Sequence, residues 1–182
     1  MKKIRKGVFE INSSSCHSIS IDNTSLEFEK VNLDENGIFY IYSNDFGWEQ
    51  EDYSHYSDKC SYLAIYIRDW CGEREQEFRS IFEQCIKDYT QCSEIVYEDL
   101  VWDTELATYN HHQTGEECSY MRKLGNSYID HQSVEDQDYH YLFDKNNPEY
   151  VEGELKNFLF NPNSTLTTDN DNRSDYNDWM SW

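Results

Sequence analysis

The stretch DKCSYLAIYIRDWCGEREQEFRSIFEQCIKDY, residues 58–89, decides how this chain folds, because it reads as two successive helices. In Asp58 to Trp70, the residues Tyr62, Leu63, Tyr66, Ile67 and Trp70 recur at spacings of three and four, which places them on one helical face. Cys71-Gly72 is the stop. Glu73 to Tyr89 is the most periodic segment of the protein: Phe78, Ile81, Phe82, Cys85, Ile86 and Tyr89 form a continuous apolar stripe. Acids crowd its first turn, where the helix dipole favours them. That stripe reads as core. The opposite face carries Glu75, Glu77, Glu83 and Asp88 against Arg79 and Lys87 and reads as solvated.

Strand patterns lie on both sides of the helical pair. His17 to Asp22, Leu26 to Val31 and Ile38 to Tyr42 alternate as half-buried strands, with turns at Asn23 to Ser25 and at the Asp-Glu-Asn-Gly hairpin signal of Asp34 to Gly37. An antiparallel meander is the expectation. Downstream, Glu94 to Tyr97, Leu100 to Trp102, Ser127 to Asp130 and Ser164 to Thr168 read as further strands. Asn44 to Ser57 and His111 to Glu117 read as loops. Pro148 opens a last helix, Glu149 to Phe160, which buries Val151, Leu155, Phe158 and Leu159, and Pro162 follows its end. The expected fold is therefore α+β, a mostly antiparallel sheet with about three helices. Residues 1–182 are expected to form a single domain, with a basic segment at 1–6 and a mobile acidic tail at 169–182 in which Trp179 and Trp182 need a surface to cover them.

Charge bounds the function more than any motif does. The chain has 15 Lys and Arg against 36 Asp and Glu, a formal net charge of −21. Four of the cations (Lys2, Lys3, Arg5, Lys6) precede residue 7, leaving 11 against the same 36 acids and a body of net −25. Such a field repels nucleic acid and membrane surfaces and attracts cationic partners. Direct nucleic-acid binding is not expected. Simple solubility is the plainer account of the acids, whereas halophilic adaptation fits poorly with only two alanines, Ala64 and Ala107. With 15 Tyr, 9 Phe and 5 Trp, the chain can close a core with few aliphatic residues. The six cysteines show no C-x-x-C spacing, and no apolar run follows the opening charges, so reduced thiols in a reducing compartment are expected. No run approaches the length needed to span a membrane.

Residue type and spacing offer a few catalytic options. Ser13, Ser14 and Ser15 beside Cys16 and His17 suit a nucleophile, a phosphate-binding turn or a loop that satisfies its own backbone. Neighbours on a strand point to opposite faces, so His17 is poorly placed to activate Cys16. His111, His112, His131 and His140 with Asp130 and Asp138 are metal-ligand types, and a metal-dependent hydrolase needs only three of them around an open position, but no ligand spacing supports the convergence. The run from Asp169 fails as a calcium loop at Arg173, Ser174 and Met180. With 7 glycines there is no phosphate-cradling loop. No catalytic residue, metal or cofactor is assigned.

Several pieces carry a resemblance. The opening basic cluster with GVFEINSSSCHSISI (7–21), FGWEQEDY (46–53), KCSYLAIYI (59–67), YIDHQS (128–133) and FLFNPNSTLTTDNDN (158–172) are similar to a group of small phage- and prophage-encoded proteins and touch about a third of the chain. With its length and acidity, the chain resembles anti-CRISPR inhibitors of the type II RNA-guided nuclease. It departs from the group at Ile11, where Thr is usual, and at Cys16 before His17. The resemblance implies a non-enzymatic inhibitor acting in the cytoplasm of a bacterial host, with the guide-loaded nuclease as partner. Carboxylates on such a protein occupy positions that DNA phosphates take, pairing with arginines and lysines of the nuclease. Acidic stretches with aromatic neighbours suit that DNA-mimic role: Glu49, Glu51, Asp52 and Tyr53, then Asp99 and Asp103, then Glu135, Asp136 and Asp138. The alternatives are the metal-dependent hydrolase and an acidic mimic of some other host DNA-binding protein.

Overall fold

A computed structural model describes residues 17–24, 27–47, 50–110, 114–115, 117–125, 127–129, 139–143 and 151–168. Its centre is helix α1, Tyr56–Trp70, followed by a 3-10 turn at Gly72–Arg74 and helix α2, Glu75–Thr90. His55 caps α1, its ring accepting the Ser57 amide at 3.2 Å. Helix α2 ends at Gln91, which turns left-handed (φ 58°) and returns its amide to the Lys87 carbonyl. On α2 the expected stripe is the buried one, with Phe78, Phe82 and Ile86 fully enclosed and Ile81, Cys85 and Tyr89 packed at its margin.

Helix α1 differs from its reading. Every residue from Lys59 to Arg68 is buried, so the helix has no solvated face over ten residues and runs through the core. Two cations lie inside it. Lys59 donates Nζ to the carbonyls of Asn161 (2.9 Å) and Ser164 (3.2 Å), while Arg68 forks onto Asp69 and also donates to the Ser127 carbonyl at 2.7 Å. These bonds explain how polar side chains are tolerated there.

The strands are β1 (Ser18–Ser20), β2 (Ile38–Tyr42), β3 (Asp45–Phe46), β4 (Glu51–Tyr53), β5 (Glu94–Glu98), β6 (Leu100–Asn110), β7 (Glu117–Gly125), β8 (Tyr128–Ile129) and β9 (Thr165–Thr168). The third helix, α3, covers Lys156–Phe160 and continues a π-helical turn at Val151–Leu155. The chain is α+β, but among the described residues the strands form four small sheets and two of these are parallel. β1-β9-β4 and β6-β7 are antiparallel; β2-β5 and β3-β8 are parallel. Among the described residues the expected meander does not form. β1 pairs with β9 from the other end of the sequence, and residues 27–31 run alongside the core without a ladder, fixed by the Glu29 amide on the Phe160 carbonyl. The turn at Asp34 to Gly37 does form, yet it leads only into β2. β2 then crosses over through α1 and α2 to a parallel partner, β5. The segment 44–57, read as loop, contains β3 and β4, and β7 had no expected counterpart.

One hydrophobic cluster runs from Ile19 to Leu166. Aromatic pairs join its layers: Phe46 meets Tyr53 and Tyr62 edge-on, Phe78 stacks on Phe143 at 4.6 Å, and Tyr89 stacks on Phe160 at 4.2 Å.

Candidate interaction surface

Expected site residues fall in three places. Glu51, Asp52 and Tyr53 make up β4, which among the described residues is an edge strand paired with β9. Glu51 and Asp52 are exposed, while Tyr53 is half-buried with its ring 5.2 Å from Phe46 and its hydroxyl donating to Glu51. Burial and that bond to Glu51 push the Tyr53 hydroxyl up from its usual range. Asp52 accepts from the Thr167 hydroxyl at 2.6 Å. Both carboxylates are thus held against the strand rather than free to swing.

Asp99 and Asp103 lie together on a second element, the turn from β5 into β6 and the irregular start of β6. Asp99 is exposed with φ 61°, a conformation that Asp tolerates better than most residues. Asp103 is exposed as well. A clip from α2 fixes this turn: the Arg79 guanidinium lies 4.2 Å over Trp102 and 5.1 Å over Tyr97, while Arg79 Nε and the Tyr97 hydroxyl both donate to Glu83 (2.8 and 2.9 Å). Burial and the Glu83 carboxylate push the Tyr97 hydroxyl upward. The β4 acids and the β5–β6 acids therefore belong to different sheets. Glu49, Glu135, Asp136 and Asp138 lie outside the described residues.

The same holds for most of the catalytic options. His111, His112, Asp130 and His131, the serine turn, Cys16 and the run from Asp169 lie outside the described residues, as does the His140 side chain. Among the described residues no three metal-ligand side chains gather. His17 is a core residue, buried with Nδ1 3.0 Å from the Tyr62 hydroxyl. Among the described residues, Cys60, Cys71, Cys85, Cys92 and Cys118 form no disulfide. No helix of the described residues is long and apolar enough to cross a membrane.

Several of the described cations lie in the core or over aromatic rings, whereas Lys30 is exposed. Lys59 and Arg68 are buried; Arg74 lies over Phe78 at 4.1 Å, Arg79 over Trp102, and Lys156 over Phe28 at 4.5 Å. The described ion pairs use only Asp69, Glu77 and Glu83. Glu51, Asp52, Glu94, Glu98, Asp99 and Asp103 are all exposed, and none takes part in a described ion pair.

Sequence reasoning missed one face. The outer side of β2-β5 carries Tyr40 and Tyr42 with their rings stacked 6.3 Å apart, bordered by Asp34, Glu94 and Glu98. Burial, then the Asp34 and Glu98 carboxylates, raise the Tyr40 hydroxyl from its usual range. The signal was present: buried Phe39 and Ile41 leave Tyr40 and Tyr42 on the other side of an alternating strand.

Comparison of the chain with family models, curated proteins and solved structures finds no match.

Proposed function

We propose that this protein is a phage-derived anti-CRISPR inhibitor that binds the guide-loaded type II nuclease through its acidic surface and blocks DNA binding or cleavage in the bacterial cytoplasm. The observation that carries the reading is a net charge of −21 together with exposed carboxylates at Glu51, Asp52, Asp99 and Asp103 that take part in no described ion pair, while Lys59 and Arg68 are buried and Arg79 and Lys156 lie over aromatic rings. Carboxylates fixed on paired strands suit arginines and lysines that otherwise hold a phosphate backbone. Binding is stoichiometric, and no residue of the chain performs chemistry.

The test is a titration of guide-loaded nuclease with this protein, following target cleavage and complex formation at low and high salt. Loss of cleavage near a one-to-one ratio, weakening as salt rises, is the expected result. Inhibition that is substoichiometric, or absent at every ratio, overturns the proposal. Charge reversal at Glu51 and Asp52, or at Asp99 and Asp103, then identifies which acidic element makes contact.

A further inference from the structure

We infer that the outer face of the β2-β5 sheet is a docking surface for an arginine side chain of a partner protein, seated on Tyr42 and paired with Glu98. This deepens the proposed function and rests on its premise that the partner is a cationic protein.

The parallel register sets the face. Ile38 lies opposite Glu94, Tyr40 opposite Val96 and Tyr42 opposite Glu98, while Phe39 and Ile41 point into the core. Tyr42 is 54% exposed, a large value for an aromatic ring on a paired strand. The platform is stiff. The Ser61 hydroxyl of α1 donates to the Tyr42 carbonyl at 2.5 Å, and the Ser43 amide extends the ladder to the Glu98 carbonyl at 3.0 Å. Asp34 is fixed beside Tyr40, accepting its hydroxyl at 3.3 Å and the amides of Ile38 and Asn36 at 2.7 and 2.9 Å. No described ion pair involves Asp34, Glu94 or Glu98.

What belongs on this face is shown by the other side of the same sheet. There Tyr97 of β5, Trp102 and Glu83 form an aromatic and carboxylate frame, and Arg79 fills it, stacked on the rings with Nε on the carboxylate. Tyr40, Tyr42 and Glu98 repeat that composition on the outer face, where no cation of the described chain is stacked. Arginine fits such a frame better than lysine, because a planar guanidinium stacks through its face and bonds a carboxylate through its edge at the same time. A polyanionic surface supplies the long-range attraction, and the tyrosines supply the preference for arginine.

Two measurements test this. Ring resonances of Tyr40 and Tyr42 are followed by NMR while the full chain is titrated with a blocked Gly-Arg-Gly-Arg-Gly peptide and, separately, its lysine counterpart. The arginine peptide shifts both rings and binds about three- to tenfold tighter than the lysine peptide. Tyr42→Ala and Glu98→Gln each weaken it about fivefold and remove the arginine preference. Glu51→Gln with Asp52→Asn leaves the preference intact. Equal affinity for the two peptides, or equal loss from the β4 variant, overturns the inference. Nuclease inhibition by the same variants separates the two proposals. If the wild type inhibits and Tyr42→Ala inhibits equally well, this face is wrong and the proposed function stands. If the wild type does not inhibit but the arginine preference is present and depends on Tyr42, the face stands and its partner is a different arginine-bearing protein.

Discussion

Replacing Lys59 with Met tests how the core tolerates a buried cation. Burial lowers the Lys59 amine from the usual 10.5 to about 8, so at neutral pH the folded protein holds a charge that solvent would hold more comfortably. Between pH 8 and 10.5 the folded state has released that proton while the unfolded state still binds it, so stability rises with pH across this window. The amine loses no bond on neutralisation, because two N–H donors remain for the two carbonyls of Asn161 and Ser164. From the two pKa values, the stability of wild type relative to Lys59→Met rises by about 2.5 kcal/mol between pH 7 and pH 10.

The difference between the two proteins is the quantity to measure, since other groups change over the same range. Burial raises the Cys60 thiol and the Tyr62 hydroxyl, and each of these loses folded stability as the unfolded state ionises. Both effects are common to wild type and variant and cancel. Urea unfolding at pH 7, 8, 9 and 10, read by tryptophan fluorescence, gives the curve. At pH 7 the variant leaves two buried carbonyls unpaired but also removes the buried charge, so the two costs oppose one another; by pH 10 only the first remains. A wild-type minus variant difference that stays flat with pH would refute the argument that Lys59 is desolvated in the fold.

Three further outcomes follow from the packing. Phe82→Ala empties a fully buried site on α2 and costs about 3–5 kcal/mol, measured by the same unfolding. Arg79→Ala removes the clip over Trp102 and Tyr97 and leaves Glu83 without its cation; it costs about 1–2 kcal/mol and speeds amide exchange in β5 and the start of β6 while α1 is unaffected. Gly37→Ala places a side chain at φ 76°, where its Cβ also meets the Ser93 hydroxyl at 3.5 Å, and costs about 1 kcal/mol by thermal or urea unfolding.

The α2 stripe was legible because its periodicity is local: each apolar residue meets its neighbours one turn away, and nothing distant has to be known. The enclosure of α1 was not. Lys59, Ser61 and Arg68 look like solvent positions, and only the carbonyls of Asn161, Ser164, Tyr42 and Ser127 make burying them tolerable. Strand pairing failed for the same reason. Ile38 to Tyr42 has the right alternation and Asp34 to Gly37 the right turn, but whether a hairpin closes depends on a partner strand, and residues 27–31 pack beside Phe160 instead. Of the candidate acids, exposure at Glu51, Asp52, Asp99 and Asp103 followed from composition. The pairing of Tyr40 and Tyr42 with Glu98 required knowing that β5 lies parallel to β2.

The placement of Lys59, Arg68, Arg79 and Lys156 connects the fold to the proposed role. The Arg79 guanidinium over Trp102 and the Lys59 amine between two carbonyls are engaged within the fold and so are not available to neutralise surface acids. The exposed carboxylates of β4 and of the β5–β6 turn are left without described ion pairs on backbone already fixed by pairing, so little conformational entropy is lost when a cationic surface docks on them. Weakening the interior cations therefore acts on binding through stability alone, whereas neutralising Glu98 or Asp103 acts on it directly and leaves unfolding unchanged. A variant of Glu98 or Asp103 that lost stability and affinity together would place those acids in the packing of the fold rather than on its working surface.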